Sequence, residues 1–233
     1  VIGGSEITFE GLIQADAYWY NNDFALLGVT SGTALGDGAD TDMAMRRAEL
    51  VLKGKGPGMW NWVVGYDARA DKWLDVNAQY KFSGFTYVRF GQFKQPNSFE
   101  ELSSTKNNDF VSKAMTTNLQ GVARRVGIAA GTGADNWTIT GSVFTREMTR
   151  NLGEGNGWGA RGTWAPILDT GSILHLGLSY VDYDARDPGN TAGATPTFDG
   201  DGRVRWRVRP DADLTGVRLV DAGFRLVSPP LDE

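Results

Sequence analysis

Apolar and polar residues alternate with period two along most of the chain. The cleanest stretch is Leu74-Asp75-Val76-Asn77-Ala78-Gln79-Tyr80-Lys81-Phe82, where Leu, Val, Ala, Tyr and Phe take one set of positions and Asp, Asn, Gln and Lys the other. Side chains of an extended strand point alternately to opposite faces, so this pattern predicts a two-faced β-strand, with Leu74, Val76, Ala78 and Tyr80 on the apolar side. From Ile7 to Trp19 the pattern recurs: Ile7, Phe9, Ile13, Ala15, Ala17 and Trp19 against Thr8, Glu10, Gln14 and Asp16. Trp60, Trp62, Val64 and Tyr66 oppose Asn61, Asp67 and Arg69, and Trp137, Ile139 and Val143 oppose Thr138, Thr140, Ser142 and Arg146. Leu174, Leu176, Leu178 and Tyr180 oppose His175 and Ser179. Sustained helical periodicity is scarce. The alternation predicts about nine strands, near residues 6–20, 42–55, 59–70, 73–82, 85–93, 121–131, 136–147, 157–165 and 172–184.

The connections alternate too. Lys55 to Gly58, Ser83-Gly84, Thr132 to Asp135 and Pro166 to Gly171 read as short turns, and longer loops at 21–41, near 71, and at 94–120, 148–156 and 185–233 lie between them. Short turns at one end and long loops at the other are the mark of an outer-membrane barrel. A soluble β-sandwich accounts for the alternation, but less well for the turn asymmetry and for the aromatic residues on the apolar faces. Nine strands do not close a bacterial barrel, which uses an even number. The residues Ser228 to Glu233 have loop chemistry. The expectation is therefore a partial chain: one barrel domain over residues 1–233, all-β and antiparallel, the N-terminal portion of a larger barrel.

Composition narrows the chemistry. With no cysteine there is neither a disulfide framework nor a thiolate metal site, and a single histidine, His175, argues against a histidine triad or zinc centre. No run of about 18 apolar residues occurs, so a transmembrane helix is not predicted, whereas barrel strands of about 10 alternating residues leave a much weaker signal. The 31 glycines and eight tryptophans suit such a barrel.

One segment stands apart from an otherwise acidic chain of net charge −5: Arg203-Val204-Arg205-Trp206-Arg207-Val208-Arg209. If extended, it lines four guanidiniums along one side, roughly 6.6–7 Å apart, with Val, Trp and Val on the other. Arginine stays charged and presents a planar fork of donors suited to oxyanions. A cationic rail on an acidic protein points to a path for small anions rather than to nucleic acid; the plain alternative is an edge strand protected by charge. Other motifs carry less. Ser103-Ser104-Thr105-Lys106 matches a Ser-x-x-Lys acylation motif, but no Lys-Thr-Gly accompanies it. Glu100 and Glu101 are adjacent, which does not set two carboxyls face to face as an acid and base. Glycines 54, 56 and 58, and 153, 155 and 157, read as turns with no helix after them. No catalytic residues, metal ligands or cofactor are predicted.

Several segments together resemble the phosphate-selective porin O/P family: Met45-Arg46-Arg47-Ala48-Glu49-Leu50, Val88-Arg89-Phe90-Gly91-Gln92-Phe93-Lys94, Ser98-Phe99-Glu100-Glu101-Leu102-Ser103-Ser104, Gly162-Thr163-Trp164-Ala165-Pro166 with Leu174-His175-Leu176-Gly177-Leu178, and the arginine-rich segment. Each is weak alone; their order from about Ile7 to Gly223 is specific. The resemblance implies a 16-stranded, homotrimeric anion channel in the Gram-negative outer membrane, surrounded by lipid and passing phosphate or polyphosphate. It implies anion-guiding roles for Arg46 and Arg47, an arginine ladder of Arg203, Arg205, Arg207 and Arg209 on an inward loop at about 185–223, and a constriction lysine, Lys106, on an inward loop at about 94–120. Asp75 matches an acidic residue beside that constriction. The chain departs from the family at Leu12, where an arginine is common, at Ser112-Lys113, where Glu-Arg is common, and in the polar insert Asn107-Asn108-Asp109. These departures bear on phosphate preference over other anions. The alternatives are a less selective or sugar-conducting porin and, in another class, a soluble β-sandwich that binds acidic glycans.

Overall fold

The computed structural model describes residues 4–19, 41–104, 113–114, 116–117, 122–149, 156–183, 207–208 and 220–221. Nine strands follow one another: β1 (Glu6–Trp19), β2 (Thr41–Lys55), β3 (Trp60–Asp67), β4 (Lys72–Ser83), β5 (Thr86–Lys94), β6 (Arg124–Ala134), β7 (Trp137–Phe144), β8 (Gly157–Asp169) and β9 (Ser172–Tyr183). Each pairs antiparallel with the next in one sheet of order β1 to β9, which is not closed. A four-residue helix, α1 (Phe99–Leu102), follows β5. A two-stranded ribbon of β10 (Arg207–Val208) and β11 (Val220–Asp221) is separate from the sheet.

Alternation sorts the sheet into two faces. On one, Phe9, Ile13, Leu50, Leu52, Phe90, Ile128, Ile139, Val143, Leu176 and Leu178 are exposed. Aromatic rings border this apolar field at both ends. Near the short turns, Trp60 packs edge-on against Tyr80 at 5.0 Å and Phe90 at 5.9 Å, and Trp137 is paired with Trp164. Near the longer connections, Tyr66 meets Trp73 at 5.1 Å and Trp158 meets Tyr180 at 5.2 Å. Trp60 and Tyr66 lie on one strand with six residue steps between them, or roughly 20 Å of strand. Apolar surface of this extent, bounded by Trp and Tyr, matches lipid and its two interfaces.

The other face is polar and curves inward. Among the described residues the buried apolar ones are few (Leu74, Phe93, Val122, Ala129 and Phe144), and no second sheet packs on either face. They are joined by two buried glutamines. Gln95 lies after β5, its amide donating to the carbonyls of Phe93 and Arg125 while Ser142 donates to its oxygen. Gln92, fully buried, donates to the carbonyls of Trp73 and Leu74 and accepts from the Met148 amide.

Three local differences from the sequence reading have physical causes. A register shift between β3 and β4, at Val64/Tyr66, pairs Tyr66 with Trp73 instead of Leu74. Trp73 takes the outer position, and Leu74 is 4% exposed beside Val51 and Gly65 on the inner side, not outward with Val76. The carbonyls of Trp73 and Leu74, which precede the first β4–β5 pair at Val76, are those bound by Gln92. Second, β8 does not end at Pro166. It continues to Asp169 through a register shift between Trp164 and Ile167, so the turn is Thr170-Gly171. A bulge accommodates a residue without an amide hydrogen. Third, Gly54 lies within β2 and not in a turn; a Cβ there would collide with the Trp62 ring, which occupies the vacant space.

Candidate functional site

The inner face holds a concavity of about 310 Å³ lined from β1 through β6 and by Ser104 of the segment after α1. Asp75, Asn77 and Gln79 project into it from β4, as alternation predicts. Its charged lining comprises four cations, Lys53, Arg89, Lys94 and Arg124, and three carboxylates, Glu10, Glu49 and Asp75. Leu12, one of the departures noted above, is also part of this lining.

Adjacent residues on a regular strand point to opposite faces, yet Arg46 and Arg47 both turn inward. The cause is a register shift between β1 and β2: Gln14 pairs with Arg47, and Ala15 with Met45, so Arg46 is the additional residue of a bulge. Met43 and Met45 are consequently exposed on the apolar side. Arg46 Nη1 reaches Asp16 Oδ2 at 2.9 Å, while Arg47 Nε is 3.9 Å from Glu49 Oε1, which faces the concavity. Nearer the short turns, Lys53 Nζ pairs with Glu10 at 2.8 Å. Asp75 receives Arg124 in two contacts, Nη2 at 2.8 Å and Nε at 2.9 Å.

The segment after β5 crosses this face. Pro96 lies over Gly159 of β8, Ser179 of β9 donates to Asn97 at 3.4 Å, and Phe99 meets His175 of β9 at 5.4 Å. Residues 96–99 thus lie against the inner wall of β8 and β9, with Phe99 still largely exposed. Lys94 Nζ, at the end of β5, donates to the carbonyls of Glu101 (2.6 Å) and Ser103 (3.3 Å), the C-terminal oxygens of α1. Cationic donors suit that end of a helix. Glu101 is 8% exposed, and its carboxylate accepts from Lys113 at 2.5 Å. Glu100 accepts from the Ala114 amide and the Thr117 hydroxyl. The adjacent glutamates therefore diverge and bind different segments of the same connection.

Of the residues singled out from sequence, Arg46, Arg47 and Asp75 all lie on the inner face. Lys106, Arg203, Arg205 and Arg209 lie outside the described residues, and Arg207 is described only as part of β10, paired with Asp221. Sequence reasoning assigned no site role to Arg89, Lys94, Arg124 or Lys113. Arg89 was accessible to it, two positions from Tyr87 on the alternation of β5. The roles of Lys94 and Lys113 depend on a connection whose path no periodicity encodes. Among the described residues no cluster of His, Cys, Asp and Glu has the geometry of a metal site.

The family model for phosphate-selective porin O and P matches residues 20–229, most of the chain. No curated protein matches it.

Proposed function

This chain belongs to the phosphate-selective porin O and P family, and from that premise we propose a passive outer-membrane pathway in which inner-face cations guide anions. Its class is that of a β-strand porin for phosphate transport, a channel rather than an enzyme. Conduction makes and breaks no covalent bond: cationic donors replace part of an anion's hydration shell, and weak sites in series allow its release. The observation that carries the reading is the bulge in β2, which turns two consecutive arginines, Arg46 and Arg47, toward the same concave wall. An ordinary strand would have sent one of them into lipid, at a cost of roughly 2–4 kcal/mol near the midplane.

In this reading Arg203, Arg205, Arg207 and Arg209 form a hydrated rail at the mouth. Lys106 stands deeper, on the connection that β8 and β9 support at residues 96–99. Phosphate or polyphosphate is the cargo, Asp75 tempers the field beside the constriction, and the assembled channel is a homotrimer embedded in outer-membrane lipid. Screening distinguishes the two cation sets. The rail stands in bulk electrolyte, where the Debye length is ~8–10 Å, so its influence falls with salt. Lys106 stands where water is scarce and is screened less. The test is single-channel recording of the full-length protein in phosphate and chloride. Lys106→Glu is expected to lower anion selectivity more than any single ladder Arg→Ala. Pores that form normally and keep their selectivity in Lys106→Glu contradict the constriction role.

A further inference from the structure

Four cations of the inner face, from β2 and β6, are each paired with a carboxylate: Arg46 with Asp16, Arg47 with Glu49, Lys53 with Glu10, and Arg124 with Asp75. Arg89 differs. Its Nε and Nη2 both donate to a neutral acceptor, Gln79 Oε1, at 3.0 and 2.6 Å. Among the described residues no carboxylate pairs with it. Its guanidinium lies 5.3 Å from the Tyr87 ring and 5.6 Å from the Phe93 ring. The amide and the rings hold the group without cancelling its positive charge, and Arg89 lines the concavity.

Hydroxyls continue from this arginine along the inner wall. The Tyr87 ring lies over Gly131, where a Cβ would come within 2.6 Å of it, and this close approach brings the Tyr87 hydroxyl to 3.4 Å from Thr140. Thr140 is the direct cross-strand partner of Arg161. Arg161 is half-buried and, among the described residues, has no ion pair; its Nη2 lies 3.6 Å from the Cβ position that Gly177 leaves vacant. One stripe thus runs from β5 to β8 with a guanidinium at each end, two hydroxyls between them and no carboxylate.

We infer that Arg89, Tyr87, Thr140 and Arg161, on the inner face of β5, β7 and β8, form a second anion station, selective for tetrahedral oxyanions over halide. Guanidinium forks and hydroxyl donors reward a ligand with several acceptor oxygens, whereas chloride offers one centre without direction. Gln79 is the positioning residue. It orients Arg89 as a carboxylate does, without cancelling its charge. This inference rests on the anion-channel reading above, and inorganic phosphate is the probe.

The experiment measures how phosphate blocks chloride current through the full-length protein in planar bilayers. Gln79→Glu is nearly isosteric and preserves the clasp on Arg89 while neutralising it. It is expected to raise the half-blocking phosphate concentration about tenfold, the scale of one charge-assisted hydrogen bond. Arg89→Gln should do the same, Tyr87→Phe should raise it by about threefold, and the chloride conductance should fall proportionately less in all three. Should Arg89→Gln fail to assemble, Gln79→Glu and Tyr87→Phe still decide the matter. A wild-type channel that phosphate blocks, with Gln79→Glu and Tyr87→Phe blocked equally well, overturns the station and leaves the broader reading intact. A wild-type channel with no anion preference overturns both, and that outcome is read from the wild type alone.

Discussion

Val76 and Asn77 are neighbours at the same depth of β4, on opposite faces of the sheet, and they answer to different constraints. Val76 has to be apolar, and its face has a single solvent. Asn77 lies beside Asp75 and Gln79 in a wall whose other members come from five further strands and a folded-back connection; its side-chain amide donates to the Gln92 carbonyl of β5 at 3.1 Å. The outer face is a rule applied position by position, whereas the inner face is a set of partnerships, each made by residues distant in sequence.

The largest expected effect breaks this asymmetry directly. In the full-length protein, Val76→Lys should cost about 2–4 kcal/mol, since a lysine on the lipid face meets hydrocarbon near the midplane. Asn77→Lys should cost about 1 kcal/mol or less, because its ammonium reaches water and only the bond to the Gln92 carbonyl is lost. Equilibrium unfolding from lipid vesicles measures both, and equal losses would show that the faces are not distinct. Next comes Lys94→Met. It removes two donors from the end of α1 and should cost about 1.5–3 kcal/mol, the range for hydrogen bonds from a charged group. The same substitution should make residues 95–104 more susceptible to protease and the open-channel current noisier, effects absent in Asn77→Lys.

Smaller effects refine the inner face. Asp16→Asn leaves Arg46 without its 2.9 Å carboxylate partner. It should move the zero-current potential toward stronger anion selectivity, opposite in sign to the shift expected from Gln79→Glu. Shifts of the same sign would show that local pairing does not govern the field. A comparably small change belongs to Lys53→Gln. Its pair with Glu10 is substantially exposed, at 46% and 31%, and its loss should alter stability by about 1 kcal/mol or less.

The same contrast explains what the sequence reveals. Nine strands and their faces follow from period two, because lipid and water impose it on every strand. The ring pair Trp60–Tyr80 was legible as aromatic residues on an apolar face. Bulges were not. Nothing local to Arg46-Arg47 reveals that both turn inward, since the cause is a shift in pairing against Gln14 and Ala15 on another strand. Leu74 was misassigned for the same reason: an apolar residue in good alternation was displaced by the shift at Val64/Tyr66. Arg89 was half legible. Its face followed from alternation, but the neutral clasp by Gln79 required the register of β4 against β5. The segment 96–99 could be assigned to a long connection, whereas its rest on β8 and β9 depends on contacts with Gly159, His175 and Ser179, about 60 or more positions away.

The central claim is that the inner wall favours the passage of anions. The most direct measurement is the zero-current potential of the full-length protein in a planar bilayer separating two concentrations of potassium chloride. An anion-selective channel develops a potential of the sign set by chloride moving down its gradient, and phosphate added to both sides should reduce the chloride current. A potential of the opposite sign, or one near zero with no effect of phosphate, would contradict the account.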